Sequence, residues 1–179
     1  MVRESTAATA TATAPGSGPA CRKLYRALCA PLPPDWAVGE TRLITAAIGR
    51  RHHPLLGQIW CAAEPGDPAA LACRSELTLL ECRADAALVA VAIASGRPHQ
   101  IRIHTAALGA PLLGDPLYRA GGLADPAVLP GAAGYRLHAH RLSLQPPDGS
   151  RLALEAPLPP ELQLSLERAA ARCRGRCLR

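Results

Sequence analysis

The sequence contains no phenylalanine, and aromatic residues account for 3% of its 179 residues. An apolar core must therefore be built from Leu, Val, Ile and Ala side chains. No apolar run approaches the roughly 20 residues that a membrane-spanning helix requires. Residues 1–20 also lack the apolar block of a secretory signal. We therefore expect no membrane partner and a cytoplasmic location.

Cysteine pairs and metal-ligand spacings are missing as well. The seven cysteines are an odd number, and no two of them form a C-x-x-C pair. Neither a disulfide framework nor a zinc finger is predicted, and reduced thiols are typical of the cytoplasm. His52-His53 and His138-x-His140 match no known zinc spacing. We therefore expect no metal site.

Lysine is almost absent, because Lys23 is the only one and the other 19 of the 20 basic residues are arginine. The 20 basic residues outnumber 14 acidic ones, which gives a net charge of +6. This charge permits a nucleic-acid partner without proving one, and arginine suits contact with phosphate. The hydrophobic fraction of 49% excludes a generally disordered chain.

The two ends of the chain differ in composition from its middle. Residues 1–21 are a Thr/Ala/Gly/Pro stretch without apolar periodicity and are predicted to be disordered. A transit peptide is less favoured, because Glu4 offsets Arg3 and no amphipathic face forms. Residues 166–179 form a basic tail, which either adds salt-sensitive affinity for RNA or is simply disordered.

Short strands dominate the middle of the chain. Ser75–Cys82 and Leu88–Ser95 are predicted to form an antiparallel hairpin. Further strands are predicted at 22–30, 43–48, 58–62, 138–144 and 151–155, the last two as a second hairpin. A polar loop is predicted at 49–54, and helices are predicted over 98–108 and from 159 onward. The pattern indicates an α+β fold with a mainly antiparallel or mixed sheet and a few short helices.

The densest polar cluster, residues 96–104 (GRPHQIRIH), lies where a predicted strand meets a predicted helix. Arg97 and Arg102 place two cations at the positive end of the helix dipole, which is locally unfavourable. The arrangement becomes favourable if an anion, either phosphate or a protein carboxylate, lies over the helix start. In the alternative, Arg102 pairs with a structural acid and the histidines satisfy local hydrogen bonds.

The run Ser95–Tyr118, SGRPHQIRIHTAALGAPLLGDPLY, resembles the signature of the RluA-type pseudouridine synthases. The family pattern is T/S-G-R-x-H-Q-I-R-x-H-x-x-x-x-G-x-P-x-x-G-D-x-x-Y, and nearly every fixed position is met. Lys23-Leu24-Tyr25 resembles the family's K-x-Y strand, and Leu137-His138-Ala139 resembles its L-H-A strand. The segment APLPPEL resembles the family's usual end. The resemblance covers residues 22–165, a partial pseudouridine synthase catalytic domain.

The resemblance implies RNA modification, in which a uridine of rRNA or tRNA is isomerised to pseudouridine without a metal or organic cofactor. An aspartate attacks the flipped-out nucleotide at the base or the sugar, the glycosidic bond breaks, and the uracil rejoins through carbon 5. By resemblance, the catalytic residues of this chain are Tyr25, which lies against the flipped base, and Arg102. The guanidinium of Arg102 would pair with the catalytic aspartate and keep it ionised.

Six residues are candidates for contact with the substrate or the RNA: Arg97, His99, Gln100, His104, Arg50 and Arg51. Among them, His99 and Gln100 are expected to brace the site, because they lie among buried strand ends. For His104, a satisfied structural histidine is favoured over a ligand. Arg50 and Arg51, in the predicted loop, either contact phosphate or are solvated.

One part of the family pattern is not found, namely the H-R-L-D-x-x-T-S-G motif that carries the nucleophile upstream of the K-x-Y strand. The 22 residues before Lys23 contain no His and no Asp, and Glu4 is their only acid. Asp115 belongs to the G-D-x-x-Y loop, where its role is expected to be structural. The other aspartates lie in apparent turns, where Asp is an ordinary turn residue.

We therefore expect the C-terminal part of a catalytic domain, from a mis-called start, a decayed gene or a split enzyme whose second polypeptide carries the missing half. The isolated chain is expected to form no pseudouridine. The alternatives are a non-catalytic RNA-binding fragment and the remnant of a truncated gene. In the isolated chain we expect Arg102 to lie unpaired near an open cleft. Exposed apolar surface and unpaired strand edges are expected to cause aggregation.

Overall fold

The fold is described from a computed structural model, which describes residues 20–129, 134–146 and 148–169. The segment predicted to be disordered, 1–21, lies outside these ranges except for its last two residues, which belong to the first strand. The basic tail also lies outside them from residue 170 onward.

The chain forms ten strands and one α-helix of eight residues within the described ranges. Their bounds are β1 (Ala20–Cys29), β2 (Thr41–Ile44), β3 (Ile48–His53), β4 (Gly57–Ala62), β5 (Ser75–Arg83), β6 (Ala86–Ile93), α1 (Gln100–Ala107), β7 (Tyr118–Arg119), β8 (Leu123–Ala124), β9 (Leu137–Gln145) and β10 (Leu152–Glu155). A 3-10 turn follows at Pro160–Leu162, and residues 165–169 are helical.

Six strands make one antiparallel sheet in the order β10-β9-β1-β6-β5-β2. Two small antiparallel hairpins, β3-β4 and β7-β8, lie beside it. Both predicted hairpins of the main sheet are present as β5-β6 and β9-β10. The predicted α+β class with a mainly antiparallel sheet is confirmed, and so is the helix after the β6 strand.

Two local predictions are wrong. Most of the stretch predicted to be a polar loop, 49–54, belongs to β3, where Arg50 lies directly across from Trp60 of β4. Burial of His53, whose Nε2 lies 2.8 Å from the carbonyl oxygen of Asp125, holds the end of this strand in place. The helix predicted from 159 onward begins instead as a 3-10 turn, with helical residues only from 165.

Helix α1 packs between two apolar clusters and joins the main sheet to the small hairpins. Ile101 lies in the cluster of the main sheet with Val89 and Val91, whereas Ile103 lies in the cluster of the hairpins with Ile48 and Leu117. Aliphatic side chains make up most of both clusters, with Trp36 in the first and Tyr118 in the second. In the described ranges, no helix has the length and apolarity needed to cross a membrane.

Candidate active site

The start of α1 is fixed by a buried glutamine. The side chain of Gln100 accepts a hydrogen bond from the backbone N–H of Arg97 (3.0 Å). Its amide nitrogen donates to the carbonyl oxygen of Arg74 (3.0 Å) and to Oγ of Ser75 (2.9 Å). Gln100 is 2% exposed, and these hydrogen bonds connect the helix start to β5.

Arg102 lies two residues further along α1, in a closed environment. Its Nε and Nη2 each donate to one carboxylate oxygen of Asp115, both at 2.7 Å. The guanidinium carbon lies 4.7 Å from the ring centroid of Tyr118 and 4.4 Å from that of Tyr135, so the cation is held between two aromatic faces. The expectation of an unpaired Arg102 near an open cleft is therefore wrong, because Asp115 and the two rings occupy its surroundings.

Asp115 is a positioning residue for this arginine. Its side chain is fully buried, and Oδ1 also accepts from the backbone N–H groups of Leu117 (3.0 Å) and Tyr118 (3.4 Å). Burial raises the pKa of this carboxyl, but the hydrogen bonds and the charge of Arg102 outweigh burial and hold the pKa below its usual value. A carboxylate occupied in this way is ionised but cannot reach a substrate.

One nitrogen of Arg102 remains available. Nη1 has no hydrogen-bond acceptor among the described residues, and it is not one of the fully buried unpaired nitrogens. A guanidinium that is fixed by a bidentate pair and keeps a free N–H edge can bind a second anion in a defined direction. This is the anion that the charge at the helix start predicts.

A hydrogen-bonded chain connects the helix start to the β3-β4 hairpin. The hydroxyl of Tyr118 donates to the carbonyl oxygen of Trp60 (2.6 Å), so the 2.6 Å contact with His99 requires Nδ1 of His99 to donate to that hydroxyl. Loss of hydration and the charge of Arg102 lower the pKa of His99, which keeps the ring neutral. Burial raises the pKa of Tyr118. The ring of Tyr118, which lies over Arg102, is thus fixed by two hydrogen bonds at its hydroxyl, one with His99 and one with Trp60.

His104 is buried in the last turn of α1. Its Nδ1 lies 2.8 Å from Oγ of Ser75, and its Nε2 lies 2.9 Å from the carbonyl oxygen of Ala46 and 3.2 Å from Sγ of Cys73. At 1% exposure, both ring nitrogens have protein partners and none is presented to a ligand. Burial lowers the pKa of His104 against the opposing effect of the hydrogen bond to Ala46. It has the structural role that was favoured from the sequence.

The candidate RNA contacts Arg50, Arg51 and Arg97 lie near the surface. The guanidinium of Arg50 is exposed and lies 4.8 Å from the ring centroid of Trp60. Arg51 pairs with Glu64 (2.9 Å), which neutralises part of its charge. Arg97 is exposed at the start of α1 beside His99, which is also exposed. These side chains therefore present positive charge and one stacked cation to solvent.

Tyr25 lies on β1, directly across from Val91 of β6 and Ala139 of β9. It packs against the apolar cluster that includes Ile101, the residue before Arg102. Tyr25 also lines a cavity of about 320 Å³, together with Lys23, His140, Leu142 and Leu154 among others. The side chain of Arg102 instead lies over Tyr118, which belongs to the apolar cluster of the small hairpins.

Sequence reasoning did not predict the surroundings of Arg102. The G-D-x-x-Y spacing does contain a signal for two of the neighbours, since it holds both Asp115 and Tyr118. Tyr135 and Trp60 lie in no motif. No cluster of three or more His, Cys, Asp or Glu side chains that could hold a metal ion occurs in the part of the chain that the structure describes.

The chain is similar over most of its length to RNA pseudouridine synthases. It is 41% identical over 152 residues to a protein of Synechocystis sp. named as an uncharacterized RNA pseudouridine synthase, which is 79% of this chain and 47% of that protein. It is 38% identical over 180 residues to RNA pseudouridine synthase 5 of Arabidopsis thaliana, which is 85% of this chain and 46% of that protein. No family model matches the chain.

Solved structures agree on the fold. Human RNA pseudouridylate synthase domain containing 1 matches with a TM-score of 0.54 at 24% identity, over 86% of this chain and 66% of that one. Human RNA pseudouridylate synthase domain containing 4 matches with a TM-score of 0.53 at 20% identity, over 83% of this chain and 62% of that one. The chain spans about half the length of the curated relatives named above. Over that span, the chain belongs to the RluA-type family of RNA pseudouridine synthases.

Proposed function

We propose that this chain supplies the Tyr25 and Arg102 half of a catalytic site that isomerises uridine to pseudouridine in rRNA or tRNA. The observation that carries the proposal is the state of Arg102: it is ionised, fixed by Asp115 and covered by two tyrosines, and its Nη1 has no acceptor among the described residues. The family signature and the relatives named above support the same activity.

The role of Arg102 is to hold a nucleophilic aspartate that the described residues do not include. Its Nη1 would donate to that carboxylate and, as a nearby positive charge, keep it ionised at neutral pH. The carboxylate attacks the nucleotide, and the bond between the sugar and N1 of the uracil breaks. The uracil rotates, and carbon 5 bonds to the sugar as the carboxylate is released from the nucleotide. Carbon 5 then loses its proton and N1 of the uracil gains one. Because the product is an isomer, no cofactor is consumed.

The role of Tyr25 is to form one wall of the pocket for the flipped-out base. Base chemistry inside an RNA fold requires the target nucleotide to leave its stack, and a side chain with a flat face can hold the released base. The cavity beside Tyr25, at about 320 Å³, falls within the range of roughly 300–1,000 Å³ that is typical of small-ligand sites.

The surface arginines would hold the RNA around this pocket. Arg97 and His99 are exposed at the start of α1, and Arg50 is exposed on the β3-β4 hairpin. Arg51 is partly neutralised by Glu64 and contributes less. Gln100 and His104 brace the site from within rather than contacting RNA.

The isolated chain would be inactive, and a second polypeptide or a longer form of the protein would supply the aspartate. A cytoplasmic location belongs to the same proposal, since the five cysteines in the described ranges are free thiols.

The second candidate function is a non-catalytic RNA-binding fragment. It is favoured by one observation: Arg102 pairs with Asp115, which is buried and fully occupied.

Pseudouridine formation in total bacterial RNA, detected by carbodiimide modification and primer extension, separates these candidates. The purified chain is assayed alone and together with a polypeptide made of the part of the Synechocystis relative that lies outside the matched 152 residues. We expect modification only with both polypeptides. Robust modification by the chain alone would show that it contains its own nucleophile. A stable but inactive complex would favour the RNA-binding fragment.

A further inference from the structure

One edge of the main sheet is left open beside Tyr25. Strand β10 pairs with residues 141–144 of β9 and no further, and the next contact is the N–H of Ala156 donating to the carbonyl oxygen of His140. Residues 137–139 of β9 pair with β1 on their inner side and have no strand on their outer side among the described residues. An unpaired edge of this kind accepts an added strand.

An apolar stripe runs along the sheet face at this edge. Lys23, Leu142 and Leu154 lie directly across from one another on β1, β9 and β10, so their side chains share one face. Leu144 and Leu152 are the next cross-strand pair on that face. Leu152 and Leu154 are 46% and 54% exposed, and the stripe continues into the cavity that Tyr25 lines.

The opposite face of the same edge carries two unsatisfied nitrogens. Arg26 of β1 and His138 of β9 lie directly across from each other. Nη1 of Arg26 and Nε2 of His138 are buried and have no hydrogen-bond partner in the described structure. An unpaired buried polar group destabilises a protein unless an acceptor arrives with a binding partner.

We propose that this edge, residues 137–139 with the leucine stripe, is the docking surface for the protein segment that the relatives have beyond the part they share with this chain. The segment would add a strand along 137–139, cover the stripe with apolar side chains and supply an acceptor to Arg26 and His138. The inference rests on the proposed function, because the docked segment is the one that carries the nucleophile.

Three observations favour this occupant. The matched part is 47% of the Synechocystis relative and 46% of the Arabidopsis relative, so each has about as much length again. The edge is continuous with the cavity at Tyr25, which places a docked strand beside the candidate base pocket. A second copy of this chain fits less well, because it carries a net charge of +6 and presents the same donors without acceptors.

Binding of the full 179-residue chain to the polypeptide that lies outside the matched region of the Synechocystis relative tests the proposal without an activity measurement. Titration calorimetry should give saturable binding in a one-to-one complex. The double variant Leu152→Glu/Leu154→Glu should weaken binding by about tenfold or more. The matched control Leu55→Glu, at a position that is 56% exposed, should leave binding unchanged.

Hydrogen exchange locates the contact directly. Amides of residues 137–139 should become protected when the polypeptide binds, because a new strand would pair with them. The variant His138→Leu should raise the thermal stability of the free chain, since it removes an unpaired buried nitrogen, and should weaken binding. If His138 had only a structural role, its replacement would not raise the thermal stability of the free chain and weaken binding at the same time.

Several results would overturn the docking proposal. These are absence of binding by folded chains, equal binding by the double variant, protection confined to other residues, or a dimer of the free chain that the double variant dissociates. A complex with the expected protection but no pseudouridine formation would leave the docking surface intact and count against the proposed function alone.

Discussion

At the residue scale, the orientation of Arg102 depends on its planar shape as much as on its charge. Two N–H groups are committed to Asp115, and the guanidinium carbon lies over the rings of Tyr118 and Tyr135. A lysine at this position could not make the bidentate pair and the two stacking contacts together. The remaining N–H edge is therefore held in one direction before any anion arrives, which lowers the entropy lost on binding.

Replacing Asp115→Asn should destabilise the fold in a pH-dependent way. Removing one partner of a buried ion pair costs about 3 kcal/mol or more at neutral pH. The folded pKa of Asp115 is held below its ordinary value of 3.8, so its stabilising effect is complete above that value and is lost as the pH falls through the folded pKa. Denaturant unfolding should therefore show a large difference between wild type and variant at neutral pH, and a smaller one in acid.

The control for that measurement is Asp85→Asn, an exposed position in the β5-β6 turn. It should leave the free energy of unfolding nearly unchanged at both pH values. A difference between wild type and Asp115→Asn that stays constant on acidification would contradict the assigned ionisation state of Asp115.

The cysteines should differ sharply in reactivity. Burial raises the pKa of Cys29 to about 12 and also raises the pKa of Cys73, so both thiols remain protonated and shielded at neutral pH. Cys82 is exposed. Alkylation followed by mass spectrometry should modify Cys82 in the native chain, and modify Cys29 and Cys73 only after unfolding. Rapid native labelling of Cys73 would mean that its contact with His104 activates the thiol.

At the scale of elements, helix α1, the β3-β4 hairpin and the β7-β8 hairpin meet at Gly122. This residue has φ of +73°, and a Cβ there would lie 3.0 Å from Cβ of Ala62 and 3.1 Å from the carbonyl oxygen of Ile103. The backbone N–H of Ala62 donates to the carbonyl oxygen of Gly122 (2.9 Å). The approach of β8 to α1 therefore requires a residue without a side chain.

Gly122→Ala should lower the free energy of unfolding by about 3 kcal/mol, from the left-handed backbone and the overpacked contact together. Gly39→Ala is the matched control, because it has φ of +88° and nothing within 4 Å of a Cβ. The control should cost about 1 kcal/mol, through the backbone alone. Equal losses in chemical denaturation would mean that the close approach at Gly122 is not tight.

The elements that could be predicted from the sequence are those whose signals are local. The β5-β6 and β9-β10 hairpins follow from short strand-like runs separated by turn residues, and α1 follows from Gly96, Pro98 and Gly109 as its boundaries. Strand β3 was missed because its sequence, IGRRHH, is polar. Its pairing with β4 is local, but the end of the strand is held by the burial of His53 against residue 125, which is distant in the chain.

The same division holds for the candidate site. The charge pattern at the helix start left two interpretations open, and Asp115 beside Arg102 matches the alternative in which this arginine pairs with a structural acid. The charge pattern could not identify Asp115, which lies 13 residues further along the chain and is brought back by the turn after α1. Tyr135 is further away still and completes the enclosure only through tertiary packing.

At the scale of the whole molecule, the chain carries the residues proposed for one half of a catalytic site and matches about half the length of its relatives. The rigid parts are the braced helix start and the enclosed Arg102, whereas the open parts are the cavity at Tyr25 and the edge of β9. The net charge of +6 is compatible with the proposed RNA partner, and an affinity of this electrostatic kind would decrease as the salt concentration rises.

The most direct test of this account is the single-turnover rate of pseudouridine formation by the two-polypeptide mixture when the chain carries Arg102→Met. Loss of the group that orients the nucleophile should lower the rate by about 100-fold or more. The double variant Arg102→Met/Asp115→Asn, which leaves no unpaired buried charge, should fold and be equally slow, whereas Arg97→Met should weaken RNA binding and leave the rate at saturation unchanged. An unchanged rate with folded Arg102→Met would contradict the central claim that Arg102 holds the nucleophile.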